Sequence, residues 1–99
     1  FIDYLKIPAH ERHALFDQLK RAAVSVTSNI AEGVNRFSIN DKARFIEMSY
    51  GSLMEIASQM EIAENLGYIS ADIRKSMDIE IEEVGRLLSG LYKSFKDKL

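Results

Sequence analysis

Residues 70–96 read SADIRKSMDIEIEEVGRLLSGLYKSFK, and their apolar positions decide the fold. Ile73, Met77, Ile81, Val84, Leu88, Leu91 and Phe95 are spaced by four, four, three, four, three and four. That spacing returns to one side of a 3.6-residue helix and matches no strand. Ser70 offers an N-cap hydroxyl, and Asp72 in the first turn suits the positive end of the helix dipole. The spacing predicts a helix over 71–96.

The same reading extends towards the N-terminus. Gly67 sits where a left-handed residue ends a helix. Before it, Ile46, Tyr50, Leu53, Ala57 and Met60 form one edge of an apolar face, and Phe45, Ser52, Ile56 and Ala63 form the other. Ser38 with Asp41 makes an approximate capping box, so a helix is expected over 40–66. Earlier still, Leu15, Leu19, Ala22, Val26 and Ile30 step by four, three, four and four, predicting a helix over 12–36. Pro8 is the only proline and marks residues 7–11 as a connector. Residues 1–6 (FIDYLK) read as the end of a helix whose start is missing. Short connections place successive helices side by side and antiparallel. The expectation is an all-α, single-domain chain (residues 1–99): three long helices and a stub, most of an up-down four-helix bundle.

Bulk composition narrows the function. Ninety-nine residues at 46% apolar can build one core, and 28% charged is ordinary for a folded chain. The absence of cysteine excludes disulfides, thiolate catalysis and Cys-ligated zinc, and fits a cytoplasmic setting. No apolar run approaches the ~20 residues of a membrane span. The net charge of −2 is uneven: residues 1–45 carry seven Lys/Arg against five Asp/Glu, residues 46–91 three against nine, and residues 92–99 three against one. A nucleic-acid surface must therefore come from the first half, the tail, or a ring of copies.

Phe16, Val24, Val34, Phe37 and Ile39 fall outside the main apolar stripes. A helix apolar on two sides needs a large core or a second subunit. The chain is too short for the former, so a homo-oligomer is expected.

The densest polar cluster is Asn29, Glu32 and Arg36, on one helix side in successive turns, with Glu55 positioned to answer Asn29 or Arg36 across the bundle. It reads either as a pocket that recognises a partner or as a polar network that fixes helix register. Gly51-Ser52, Gly85 and Gly90 read as close helix–helix packing, because a mid-helix glycine costs ~1 kcal/mol against alanine. Lys20-Arg21, with Arg36, Lys42 and Arg44, are candidate nucleic-acid contacts, interleaved with Phe37 and joined by tail lysines 93, 96 and 98; a solvated surface is the plainer reading. Metal and cofactor sites are not expected. His10 and His13 lie away from the carboxylates that a di-iron bundle would need, and there is no glycine-rich phosphate loop. Nor do the residues form a Ser–His–acid set, and the chain is not expected to be an enzyme.

Residues 18–26 (QLKRAAVSV), Asn29-Ile30-Ala31-Glu32-Gly33, Arg36, Ser38, Phe45, Gly51-Ser52-Leu53, Glu55 and Leu66-Gly67-Tyr68-Ile69 resemble, in order and spacing, the four-helix-bundle family encoded in intervening sequences of 23S ribosomal RNA genes. That family is similar to the accessory variability determinant of diversity-generating retroelements. The resemblance implies a bacterial, up-down bundle with a longer first helix, assembled as a ring, expected to be a pentamer. It also implies RNA or DNA as a partner, and a protein partner such as a reverse transcriptase. The expected function is a non-enzymatic ribonucleoprotein accessory factor; a structural oligomer or protein-binding adaptor is the alternative.

Overall fold

The computed structural model describes residues 9–98. Three helices follow one another: α1 (Ala9–Val34), α2 (Ile39–Asn65) and α3 (Ala71–Lys96). There is no strand among the described residues. Residues 1–6 and Pro8 lie outside that range, so the all-α class holds with three helices, and the expected helical stub lies outside it.

The punctuation of the chain works locally as its chemistry requires. Ser38 accepts a hydrogen bond from the Asp41 amide at 3.3 Å, and Ser70 accepts one from the Ile73 amide at 3.1 Å. Gly67 has φ +78°. Its amide bonds to the Glu64 carbonyl at 2.9 Å and the Tyr68 amide to the Ala63 carbonyl at 2.8 Å, the paired closure of a Schellman turn. One boundary differs from the expectation. Ala9, His10 and Glu11, read as connector, are helical, because a proline restricts the residue before it and leaves those after it free to take helical angles. The same helix stops two residues early, at Val34, whose carbonyl accepts from Lys42 Nζ at 3.0 Å.

Both outer helices pack on α2, and no Cα of α1 comes within 8 Å of one in α3. The molecule measures 53 × 23 × 13 Å, its thinnest dimension little more than one helix diameter. Val26, Ile46, Leu53, Met60, Ile81 and Leu88 form the buried core, with Leu19, Ile30, Met77, Val84 and Leu91 half-buried around it. Phe16, Val24 and Val34, which fell outside the sequence stripes, are exposed; Ile39 is half-buried.

Candidate functional site

The seam between α1 and α2 holds the polar cluster. Asn29 is half-buried, and its Nδ2 donates to the Ser25 carbonyl at 2.8 Å and to Ser25 Oγ at 3.1 Å. Ser25 Oγ lies 2.7 Å from Ser52 Oγ, and Ser52 Oγ donates to the Met48 carbonyl at 3.3 Å. A consistent run of donors therefore leads from Asn29 through both serines to Met48, crossing from one helix to the next. Glu32 and Arg36 are an exposed pair at 3.1 Å, one turn further on. Glu55 does not answer Asn29 or Arg36; it accepts from Gln59 Nε2 at 3.3 Å on its own helix, since its Cα lies one turn beyond Ser52. Asn29 and Ser25 thus belong to the contacts of the α1–α2 seam, while Glu32 and Arg36 pair on its exposed side.

Two seam residues escaped the sequence reading. Ser49 is fully buried and donates to the Val26 carbonyl at 2.8 Å. Its signal was its position, three residues after Ile46 and four before Leu53, inside the apolar stripe. Gly33 is the close approach: a Cβ there would stand 3.0 Å from Phe45 Cβ and 3.2 Å from the Lys42 carbonyl oxygen. A Cβ at Gly51 or Gly90 would meet nothing within 4 Å, so neither marks a close approach among these helices. At Gly85 it would make ordinary contact, 3.6 Å from Leu53 and Tyr50. Ser52 contributes to packing through its hydrogen bond.

The basic residues regroup. Antiparallel order brings the end of α1, the start of α2 and the end of α3 to one end of the molecule. The Arg36 and Arg44 guanidinium carbons lie 4.6 and 4.8 Å from the Phe45 ring centre. Lys42 and Lys98 share Phe95, at 5.8 and 6.0 Å, and Lys96 lies 5.7 Å from Tyr92. These are cation–π distances. Lys93 lies one turn before Lys96 on α3. Within about two helical turns of this end, six Lys/Arg meet three Asp/Glu: Glu32, Asp41 and Asp97. Lys20 and Arg21 are not part of the group; they lie on α1 roughly 20 Å before its end, at 1.5 Å per residue.

The electrostatics elsewhere are structural. The Tyr68 hydroxyl donates to Glu11 Oε2 at 2.9 Å, and that bond holds its pKa above the usual tyrosine value. Arg74 bridges Asp78, at 3.1 Å, and Glu64, at 2.9 Å; the Asp78 bond is the main reason its pKa is raised. An open groove of about 280 Å³ runs between α2 and α3 along Ile46, Tyr50, Leu88 and Tyr92. A second open pocket of about 330 Å³ shares Tyr50 and Ser89 with it and is lined further by Met54, Ile81 and Gly85 and by the charged Asp78, Glu82 and Arg86. No group of three or more His, Cys, Asp or Glu is placed to hold a metal ion among the described residues. No helix there is long and apolar enough to cross a membrane.

The family described as 23S rRNA-intervening sequence protein matches residues 3–90. The chain belongs to that family. The match spans the seam serines, Asn29, Gly33 and most of α3, and stops before the lysines at 93, 96 and 98, so part of the basic end lies past the region that the family match covers. No curated protein matches the chain.

Proposed function

We propose that this family member is a non-enzymatic, self-associating helical-bundle protein of the cytoplasm that binds nucleic acid through its basic end. One observation carries the reading: cations far apart in sequence, at 36–44 and 93–98, meet at one end and share aromatic rings. A net charge of −2 says little against it, because a phosphate backbone responds to the local field. The open side of the layer, between α1 and α3, supports an up-down bundle of four helices, since a helix laid there would touch both. Exposed Phe16, Val24 and Leu87 support self-association, with a pentameric ring as the expected form. Such a ring would repeat the basic end around one rim. A polymerase-type protein partner such as a reverse transcriptase fits an accessory role of this kind.

The test is binding of labelled RNA and DNA across a salt series. Affinity should fall with a log–log slope near −0.9 per phosphate neutralised on duplex DNA. Reversing Arg44 and Lys98 together (Arg44→Glu, Lys98→Glu) should remove binding, whereas reversing Lys20 and Arg21 should cost less, because those two lie outside the cluster. Absence of salt-sensitive binding at low ionic strength rejects the proposal. The second reading, a protein-binding adaptor, is favoured by the apolar groove between α2 and α3, whose form suits a partner helix.

A further inference from the structure

We infer that the basic end takes a single-stranded, unpaired stretch of nucleic acid, with the Phe37 ring as the platform on which one base stacks. The inference rests on the nucleic-acid reading above and specifies the form of the polymer. Phe37 lies in the connection between α1 and α2, and at 103% relative exposure its ring packs against nothing among the described residues. Folded chains usually bury such a side chain. The other three aromatic rings at this end, Phe45, Tyr92 and Phe95, each carry a cation over a face. Phe37 carries none among the described residues, so both of its faces are free.

Geometry selects the single strand. A base inside a duplex already has neighbours above and below, and a protruding ring reaches its face only after it is unstacked. An unpaired base offers that face directly, and stacking on an aromatic side chain is tolerant of sequence. The cations needed for the adjoining backbone are at hand. Arg36 is the neighbouring residue, and its guanidinium shares the Phe45 ring with that of Arg44. Both side chains remain exposed, so their N–H edges can meet phosphate oxygens while one face rests on the ring. Arg36 is paired with Glu32 at 3.1 Å and Arg44 approaches Asp41 at 3.9 Å; both acids are exposed partners that a phosphate can displace.

The experiment compares a labelled oligouridylate with an RNA duplex of equal length, by anisotropy on the full chain at low salt. The single strand should bind more tightly. Phe37→Ala should weaken it ~10-fold and leave the duplex nearly unchanged, as loss of one stacked base predicts. Phe37 packs against none of the described residues, so the variant should keep its helical circular dichroism. The sequence contains no tryptophan, so Phe37→Trp places a lone indole at the site, and its emission should be quenched as the single strand saturates. Equal effects of Phe37→Ala on both polymers, or an unquenched indole at saturation, overturn the inference and leave the basic-end reading standing. A change in assembly mass with binding intact also overturns it, by giving the ring to a protein contact. No binding of either polymer removes both proposals.

Discussion

Replacing Gly33 with alanine tests the closest approach made at any glycine among the described residues. Gly33 is buried in the last turn of α1, and the added methyl would stand 3.0 Å from Phe45 Cβ, 3.2 Å from the Lys42 carbonyl oxygen and 3.4 Å from Ile46 Cδ1. The first two belong to the backbone and the root of a side chain, so neither can swing away. Relief requires α1 and α2 to separate by a few tenths of an ångström, against a seam already held by the Ser49–Val26 and Ser25–Ser52 hydrogen bonds. Overpacking of this kind costs ~1–3 kcal/mol. The intrinsic helix gain of Gly→Ala is ~1 kcal/mol in a helix interior and smaller in a final turn. The net expectation for Gly33→Ala is a loss of about 1–2 kcal/mol, which lowers Tm by ~4–8 °C per kcal/mol in a domain of this size. Gly51→Ala is the internal control. Gly51 is exposed in the middle of α2 with open space around its Cα, so only the helix gain applies and stability should rise by about 1 kcal/mol. Urea unfolding at one fixed chain concentration reads both, and fixing it matters because self-association adds to apparent stability. Gly33→Ala unfolding at the same or higher urea than the parent chain would refute the packing argument; a less stable Gly51→Ala would show that Gly51 meets a surface outside this chain.

Ser49→Ala removes the donor to the Val26 carbonyl in a fully buried site and should cost about 1 kcal/mol in the same assay. Tyr68 provides a pH test. Its pKa is raised in the folded chain by the bond to Glu11, so the contact contributes fully below the unfolded tyrosine pKa near 10 and is lost as pH rises through the folded value. An ultraviolet titration should therefore show a late-ionising tyrosine that disappears in Tyr68→Phe, and the stability difference between the two chains should close at the alkaline end.

The helices were legible because their signals are local: the four-and-three spacing of 73–95, the N-cap serines at 38 and 70, and Gly67 at its turn each depend on residues within a few positions. What was misread depends on what lies opposite. Gly33 and Gly51 look alike in sequence, yet one faces Phe45 and the other faces open space. Glu55 and Asn29 have compatible chemistry, but each found a partner one turn away on its own helix. The basic end was half legible: antiparallel order alone implies that residues near 36–44 and 93–98 share an end, whereas Lys20-Arg21 were grouped with them by charge when helix rise separates them.

Because α1 and α3 each approach α2 closely but share no Cα pair within 8 Å of one another, the backbone is two helical hairpins with one helix in common. Each hairpin joins neighbours in sequence across connections only four and five residues long, so little loop entropy opposes either closure. Contacts this local belong to the rapid end of folding rates, and neither hairpin needs the other as a template. α2 is then the keel of the molecule: an outer helix can lift away while the remaining pair keeps its own hydrogen bonds, but nothing can loosen α2 without releasing both neighbours at once.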